Sequence, residues 1–121
     1  WKIRILVPRL QYVGIVENAV RRDSTWCHMK NKGYIVSAEQ GLLWQHGKWK
    51  QADKRYVVGQ RMNEVVYVLF DSQRRTLSAM INGKFRCLFA NITKKSKGYR
   101  LAIGTTANAR VELLASHAIN G

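Results

Sequence analysis

The chain is poor in cysteine, proline and acidic residues, and the cysteine shortage excludes two classes of protein. Its 121 residues include two cysteines, Cys27 and Cys87, one proline and seven Asp and Glu. Two cysteines so far apart form neither a Cys-x-x-Cys metal motif nor the dense disulfide framework of small secreted domains. We therefore expect free thiols in a reducing, intracellular compartment and no metal site.

Long apolar runs are missing as well. No stretch approaches the length of a membrane span and no signal peptide opens the chain, so we expect no membrane association. The length and the 46% hydrophobic content fit one domain over residues 1–121 with a core of its own. Because Trp1 already lies in a strand-like pattern, we expect this domain to come from a longer protein.

The shortage of acidic residues leaves a large positive charge. Twenty-one Lys and Arg give a formal net charge of +14, and such a field attracts polyanions and acidic protein surfaces. The most compact basic segment is 94–97, where Lys94, Lys95 and Lys97 predict an anion-binding loop. The alternative is a solvated loop, since charge runs are usually exposed to water.

The apolar residues follow the periodicity of strands. In residues 76–81, Leu77 and Ala79 alternate with polar neighbours, as in a strand with one buried face. The run at 65–70 is apolar at every position and predicts a central strand covered on both faces. Asp71, directly after it, predicts a turn in which the carboxylate accepts bonds from the next backbone amides. The sequence therefore predicts an all-β fold of two antiparallel sheets packed as a β-sandwich.

No catalytic arrangement stands out in the sequence. The three histidines, His28, His46 and His117, are far apart and lack His-x-x-x-His spacing. The chain has no nucleophile elbow and no phosphate-cradling glycine loop. We expect no catalytic residue, no enzyme activity and no cofactor.

Two of the four tryptophans lie among polar and basic residues. Trp26 is close to His28, and Trp49 stands between Lys48 and Lys50, in segments that we predict to be loops. A large aromatic side chain in such a loop can anchor a peptide or stack on a nucleobase. The alternative is that each tryptophan caps an open edge of the sandwich.

A series of motifs follows a characteristic order along the chain. Its centre runs from Tyr56-Val57-Val58-Gly59 through the strand-like run 65–70, Asp71 and the run 76–81 to Asn82-Gly83-Lys84. Five further segments lie on either side of this centre; they are residues 1–5, 12–16, 41–47, 99–103 and 111–114. In this order the segments resemble the SPRY domain family.

This resemblance implies a non-catalytic sandwich of SPRY type, lacking the family's first strands, that binds a protein or peptide with loops at one end. The residues at the matching positions are Trp26, His28, His46, Trp49, Thr105, Thr106 and Asn108. We therefore expect a module that recruits a partner, acidic in character, to a larger protein or assembly. The alternative is a basic domain associated with RNA or a ribonucleoprotein, in which Trp26 or Trp49 adds stacking.

Overall fold

The computed structural model describes residues 2–5, 10–19, 32–38, 40–50, 64–81, 84–105 and 111–115. These residues form ten strands: β1 (Lys2–Ile5), β2 (Leu10–Glu17), β3 (Gly33–Ser37), β4 (Leu42–Gln45), β5 (Lys48–Lys50), β6 (Val65–Asp71), β7 (Thr76–Ile81), β8 (Lys84–Phe89), β9 (Tyr99–Thr105) and β10 (Val111–Ala115). Within these ranges no residue is helical, so this part of the chain contains no helix that could cross a membrane.

The strands pair antiparallel in two sheets of five. The first sheet has the order β10-β1-β6-β7-β8, and the second has the order β5-β4-β3-β2-β9. Most of the strands contain two or more β-branched or aromatic residues, which suit a pleated surface with one buried face. The predicted all-β fold of two antiparallel sheets is confirmed.

Both sheets supply side chains to one apolar core, as in a β-sandwich. On β2 the residues Val13 and Ile15 face this core, and their cross-strand neighbours on β3 are Val36 and Tyr34. The other buried members are Leu10, Ala38, Leu43, Val66, Val68, Leu77, Ala79, Leu88, Phe89 and Ile92. Tyr34 is fully buried, so its hydroxyl must find its partners inside the protein.

Strand β6 is central in its sheet, but only one of its faces is buried. Val66 and Val68 point into the core, whereas Val65, Tyr67 and Leu69 on the other face are half-buried. The prediction of a strand covered on both faces is therefore wrong. An antiparallel sheet needs a core on one side only, and apolar residues on its outer side can stay partly exposed.

The outer face of the second sheet carries a smaller apolar cluster. Val16, Ile35 and Ala102 are buried there, and Tyr12 and Trp44 pack against them. Tyr12 is paired with Gly104 across β2 and β9, and a Cβ on that glycine would collide with the tyrosine ring. Glycine at this position therefore lets an aromatic ring lie flat across its neighbouring strand.

Several connections meet at one end of the sandwich, which we call the loop end. It contains the end of β2, the start of β3, the β4–β5 turn, the β6–β7 turn (residues 72–75) and the β8–β9 loop (residues 90–98). Backbone bonds tie these segments together: the Asn18 amide donates to the Gly98 carbonyl at 2.9 Å and the His46 amide donates to the Gly33 carbonyl at 3.0 Å. The loop end is therefore ordered by contacts between segments distant in sequence.

Candidate anion-binding cleft

The β6–β7 turn is the first wall of the candidate site. Oδ1 of Asp71 accepts hydrogen bonds from the backbone amides of Gln73 and Arg74, both at 3.0 Å. The Arg74 Nε also lies 3.9 Å from Oδ2 of the same carboxylate. The predicted role of Asp71 in the turn is confirmed. Arg75 closes the turn with a φ of 55°, in the left-handed region.

The β8–β9 loop is the second wall, and its first half is fixed by three hydrogen bonds. The amide of the buried residue Ile92 donates to the Arg75 carbonyl at 3.0 Å, which joins the two walls directly. The Thr93 amide donates to the Tyr34 hydroxyl at 2.9 Å, and the Tyr99 hydroxyl donates to the Thr93 carbonyl at 2.6 Å. The backbone directly before Lys94 is therefore held in place.

The second half of this loop is fixed by Asn18, at the end of β2. Its side-chain amide donates to the Lys97 carbonyl at 2.6 Å, in addition to the backbone bond to Gly98. Gly98 has a φ of 72° and donates its amide hydrogen to the Lys95 carbonyl at 3.0 Å. The lysine side chains are exposed to solvent, but the backbone that carries them is well bonded.

Tyr34 supports this loop from the core. Its hydroxyl oxygen accepts from the Thr93 amide and also lies 2.9 Å from His46 Nε2 and 3.4 Å from the Thr93 hydroxyl. Since an amide can only donate, the Tyr34 hydroxyl hydrogen remains available for His46 or for the Thr93 side chain. The ring meets those of His46, Phe89 and Tyr99 edge to face, at centroid distances of 4.7, 5.4 and 6.0 Å.

An open cleft of about 560 Å³ lies between the β6–β7 turn and the β8–β9 loop. Phe70, Ile92 and Tyr99 form an apolar floor, and the rings of Phe70 and Tyr99 meet edge to face with centroids 5.6 Å apart. Burial raises the pKa of Tyr99 to about 12, and the nearby Tyr34 and Glu17 act in the same direction. Tyr99 therefore remains a neutral hydrogen-bond donor at physiological pH.

The rim of the cleft is cationic. Arg75 lies on one side, and Lys94 and Lys95 lie on the other, and none of the lining residues within the described ranges is Asp or Glu. Lys95 is partly neutralised, because its Nζ is 3.8 Å from Oε1 of Glu17. The other lining residues are neutral; they are Ser72, Gln73, Thr93 and Gly98. The cleft therefore offers positive charge and hydrogen-bond donors around an apolar floor.

Of the residues that the sequence singled out, two line this cleft and two others lie on segments next to it. Lys94 and Lys95 line it, whereas Lys97 is exposed on the same loop and is not among the lining residues. His46 lies in the β4–β5 turn, half-buried with a φ of 49°, where it contacts Tyr34 rather than the cleft. The lysine segment therefore meets the cleft, while His46 supports the residue beneath it.

Two other predicted site residues, Trp49 and Thr105, are not among the lining residues of the cleft. Trp49 is 61% exposed but belongs to strand β5, opposite Trp44 on β4. The prediction of a loop around Trp49 is wrong, because backbone pairing with β4 continues through the basic residues. Thr105 pairs with Leu10 at the end of β9 remote from Tyr99. Four further predicted residues lie outside the described ranges, namely Trp26, His28, Thr106 and Asn108.

Sequence reasoning did not place Phe70, Arg75 or Tyr99 in a site, nor Tyr34 beneath it. One modest sequence signal could have indicated this site: an apolar strand ends in an aromatic residue shortly before a basic turn. In the described part of the chain, no three His, Cys, Asp or Glu side chains are grouped so that they could hold a metal ion. No family model, curated protein or solved structure matches the chain.

Proposed function

We propose that the protein is a non-catalytic binding module that holds an acidic segment of a partner protein in the cleft at the loop end. The observation that carries this proposal is the position of Arg75, Lys94 and Lys95 around one apolar floor, with no carboxylate among the lining residues that the structure describes. The resemblance to SPRY domains, which implies peptide binding by loops at one end of a sandwich, favours the same class of function.

The hydrogen bonds within the β8–β9 loop support ligand binding, because a loop that is already ordered loses less entropy when the ligand binds. Association loses affinity when a loop must be immobilised on contact with the ligand. Here the backbone before Lys94 is fixed by bonds to Tyr34, Tyr99 and Arg75, and the backbone after it is fixed by the bonds that Lys95 and Lys97 accept, before any ligand arrives. Only the lysine side chains need to be ordered when a carboxylate binds.

The composition of the cleft favours a peptide over a lone ion. A single exposed ion pair contributes about 0–1 kcal/mol, so one carboxylate on one lysine would bind weakly. Three cations around an apolar floor allow several charge-assisted contacts together with the burial of apolar surface. A volume of about 560 Å³ lies within the range of about 300 to 1,000 Å³ that is usual for ligand sites. An extended segment of a few residues fits these properties.

A direct test measures the fluorescence anisotropy of a labelled, glutamate-rich peptide on titration with the protein. The cleft variant is Arg75→Gln with Lys94→Gln, and the matched control is Lys48→Gln with Lys84→Gln, which removes the same charge from exposed sites on β5 and β8. We expect the cleft variant to lose at least about tenfold in affinity and the control less than about twofold, since specific charge-assisted contacts exceed the general field.

Equal losses in the two variants would show that the net charge, and not the cleft, attracts the peptide. A labelled random oligonucleotide is titrated in parallel at two salt concentrations to test association with nucleic acid. Tighter binding of the oligonucleotide, with a steep salt dependence and no selective effect of the cleft variant, would replace our proposal with the nucleic-acid function.

A further inference from the structure

The aromatic residues under the cleft form a continuous series. Tyr34 in the core meets Tyr99 edge to face at 6.0 Å, and Tyr99 meets Phe70 in the same manner at 5.6 Å with the planes at 76°. Tyr34 and Phe89 begin this series among fully buried residues, and Phe70 and Tyr99 end it at the cleft. A further ring placed in the cleft would extend the series by one member.

The exposed end of the series cannot easily change its orientation. The Tyr99 hydroxyl is bonded to the Thr93 carbonyl at 2.6 Å, and its ring is held between Tyr34 and Phe70. Aromatic pairs prefer edge-to-face or offset contacts at centroid distances of about 4.5 to 7 Å. A floor of two fixed rings therefore favours a ligand ring over a flexible aliphatic side chain.

The rings and the cations belong to one bonded unit. Thr93, whose carbonyl orients Tyr99, is followed directly by Lys94 and Lys95. Arg75 faces them from the other wall and is joined to Ile92 through its carbonyl. A ligand ring on the floor would therefore have positive charge on both sides. A purely acidic segment would leave the aromatic floor in contact with water.

We propose that the cleft recognises an aromatic residue flanked by carboxylates in the partner segment. The ligand ring lies on the floor formed by Phe70 and Tyr99, and the neighbouring carboxylates contact Arg75 on one wall and Lys94 on the other. This inference rests on the proposed function and specifies its ligand. Phe70 is then a residue that determines specificity, while the cations supply the general preference for acidic segments.

The test compares three labelled peptides of equal length with the full chain. One has a central Phe flanked by Glu, the second replaces that Phe with Ala, and the third replaces the Glu residues with Gln. We expect the first to bind at least about fivefold more tightly than either of the others, because it alone makes both the ring contact and the charge-assisted contacts.

A Phe70→Leu variant adds a second measurement that keeps an apolar side chain on the floor. We expect it to reduce the preference for the Phe peptide over the Ala peptide to less than about twofold, because the ring contact with the floor is weakened. An unchanged preference in a folded variant overturns the assignment of the ring to this floor. If the variant fails to fold, the comparison of peptides with the unmodified protein still decides the inference.

The possible outcomes distinguish a failure of this inference from a failure of the proposed function on which it rests. Equal binding of the Phe and Ala peptides, both tighter than the Gln peptide, overturns the aromatic preference and leaves the acidic-segment module intact. If the Gln peptide binds as tightly as the Phe peptide, which carries the Glu residues, the proposed function and this inference are overturned together. Absence of binding by all three peptides has the same consequence.

Discussion

The two walls of the cleft are both basic, but they are built differently. The β6–β7 turn is local: Asp71 accepts from amides two and three residues ahead and pairs with Arg74 in the same turn. The β8–β9 loop instead depends on Tyr34, 59 residues away, and on Asn18, 79 residues away. The first wall is set by its own short sequence, whereas the second requires the sandwich to be assembled.

We expect the largest loss of stability when Tyr34, which holds the second wall from a distant part of the sequence, is changed. Tyr34→Phe leaves the ring in the core but removes the acceptor of the Thr93 amide and the polar partner of His46. We expect the free energy of unfolding to fall by about 1–3 kcal/mol, because two part-buried hydrogen bonds of about 0.5–1.5 kcal/mol each are lost. Chemical denaturation measures this loss, and amide exchange should accelerate at Thr93.

A matched control for that change is Thr93→Val, which removes only the hydroxyl that lies 3.4 Å from Tyr34. We expect it to cost less than about 1 kcal/mol, because the backbone bond remains. If Tyr34→Phe were as mild as this control and left exchange at Thr93 unchanged, the hydroxyl would not be the support of the loop.

A smaller and more local effect is expected from Asp71→Ala. The change removes one acceptor shared by two turn amides, and it should cost about 0.5–2 kcal/mol, as for the loss of comparable caps. Hydrogen exchange should accelerate at Gln73 and Arg74 but not at Thr93. Asp71→Asn retains a side-chain oxygen and should keep most of the stability. Faster exchange throughout the β8–β9 loop would contradict the independence of the two walls.

A gain of binding is expected from Glu17→Gln. Glu17 is an internal carboxylate that faces Lys95 at 3.8 Å and competes with an acidic ligand for that cation. Ion pairs near the surface, such as this one between an exposed lysine and a half-buried glutamate, contribute about 0–1 kcal/mol, so affinity for the glutamate-rich peptide should rise by up to about fivefold with little change in stability. Lys95→Gln is the counterpart and should lower affinity. A lower affinity in Glu17→Gln would mean that Glu17 positions Lys95 for binding.

The smallest effect should appear only at alkaline pH. Burial raises the pKa of Tyr99 from 10.0 to about 12, so between these values the folded state retains a proton that the unfolded state has lost. The contribution of Tyr99 to the free energy of unfolding is complete below pH 10.0 and declines as the pH rises toward 12. In an absorbance titration of tyrosine ionisation, the transition at the highest pH should be absent from Tyr99→Phe. If that transition is unchanged in this variant, it belongs to another tyrosine.

The sequence predicted the features that depend on neighbouring residues. Alternation of apolar residues predicted the strands and the two sheets, and the position of Asp71 predicted the turn that its carboxylate stabilises. Lys94 and Lys95 were selected for their charge alone, and the structure places them on a cleft. These results follow because periodicity and turn chemistry act over a few residues.

The remaining features depend on contacts that a linear pattern does not contain. The cleft exists because Ile92 meets Arg75 and Thr93 meets Tyr34, and no local signal joins those pairs. Trp49 was misassigned because its lysine neighbours are typical of a loop, while its pairing with Trp44 keeps it in a strand. The half-buried outer face of β6 was also missed, because hydrophobicity does not show which faces another layer covers.

The backbone bond between Ile92 and Arg75 has a consequence for the rates of binding. It joins the two cleft walls at 3.0 Å through backbone atoms, while the side chains of Tyr34 and Asn18 hold the second wall in place. A site of fixed width has no closing step, so we expect association in a single phase whose rate is proportional to peptide concentration. Peptides of different affinity would then share similar association rates and differ in how long they stay bound.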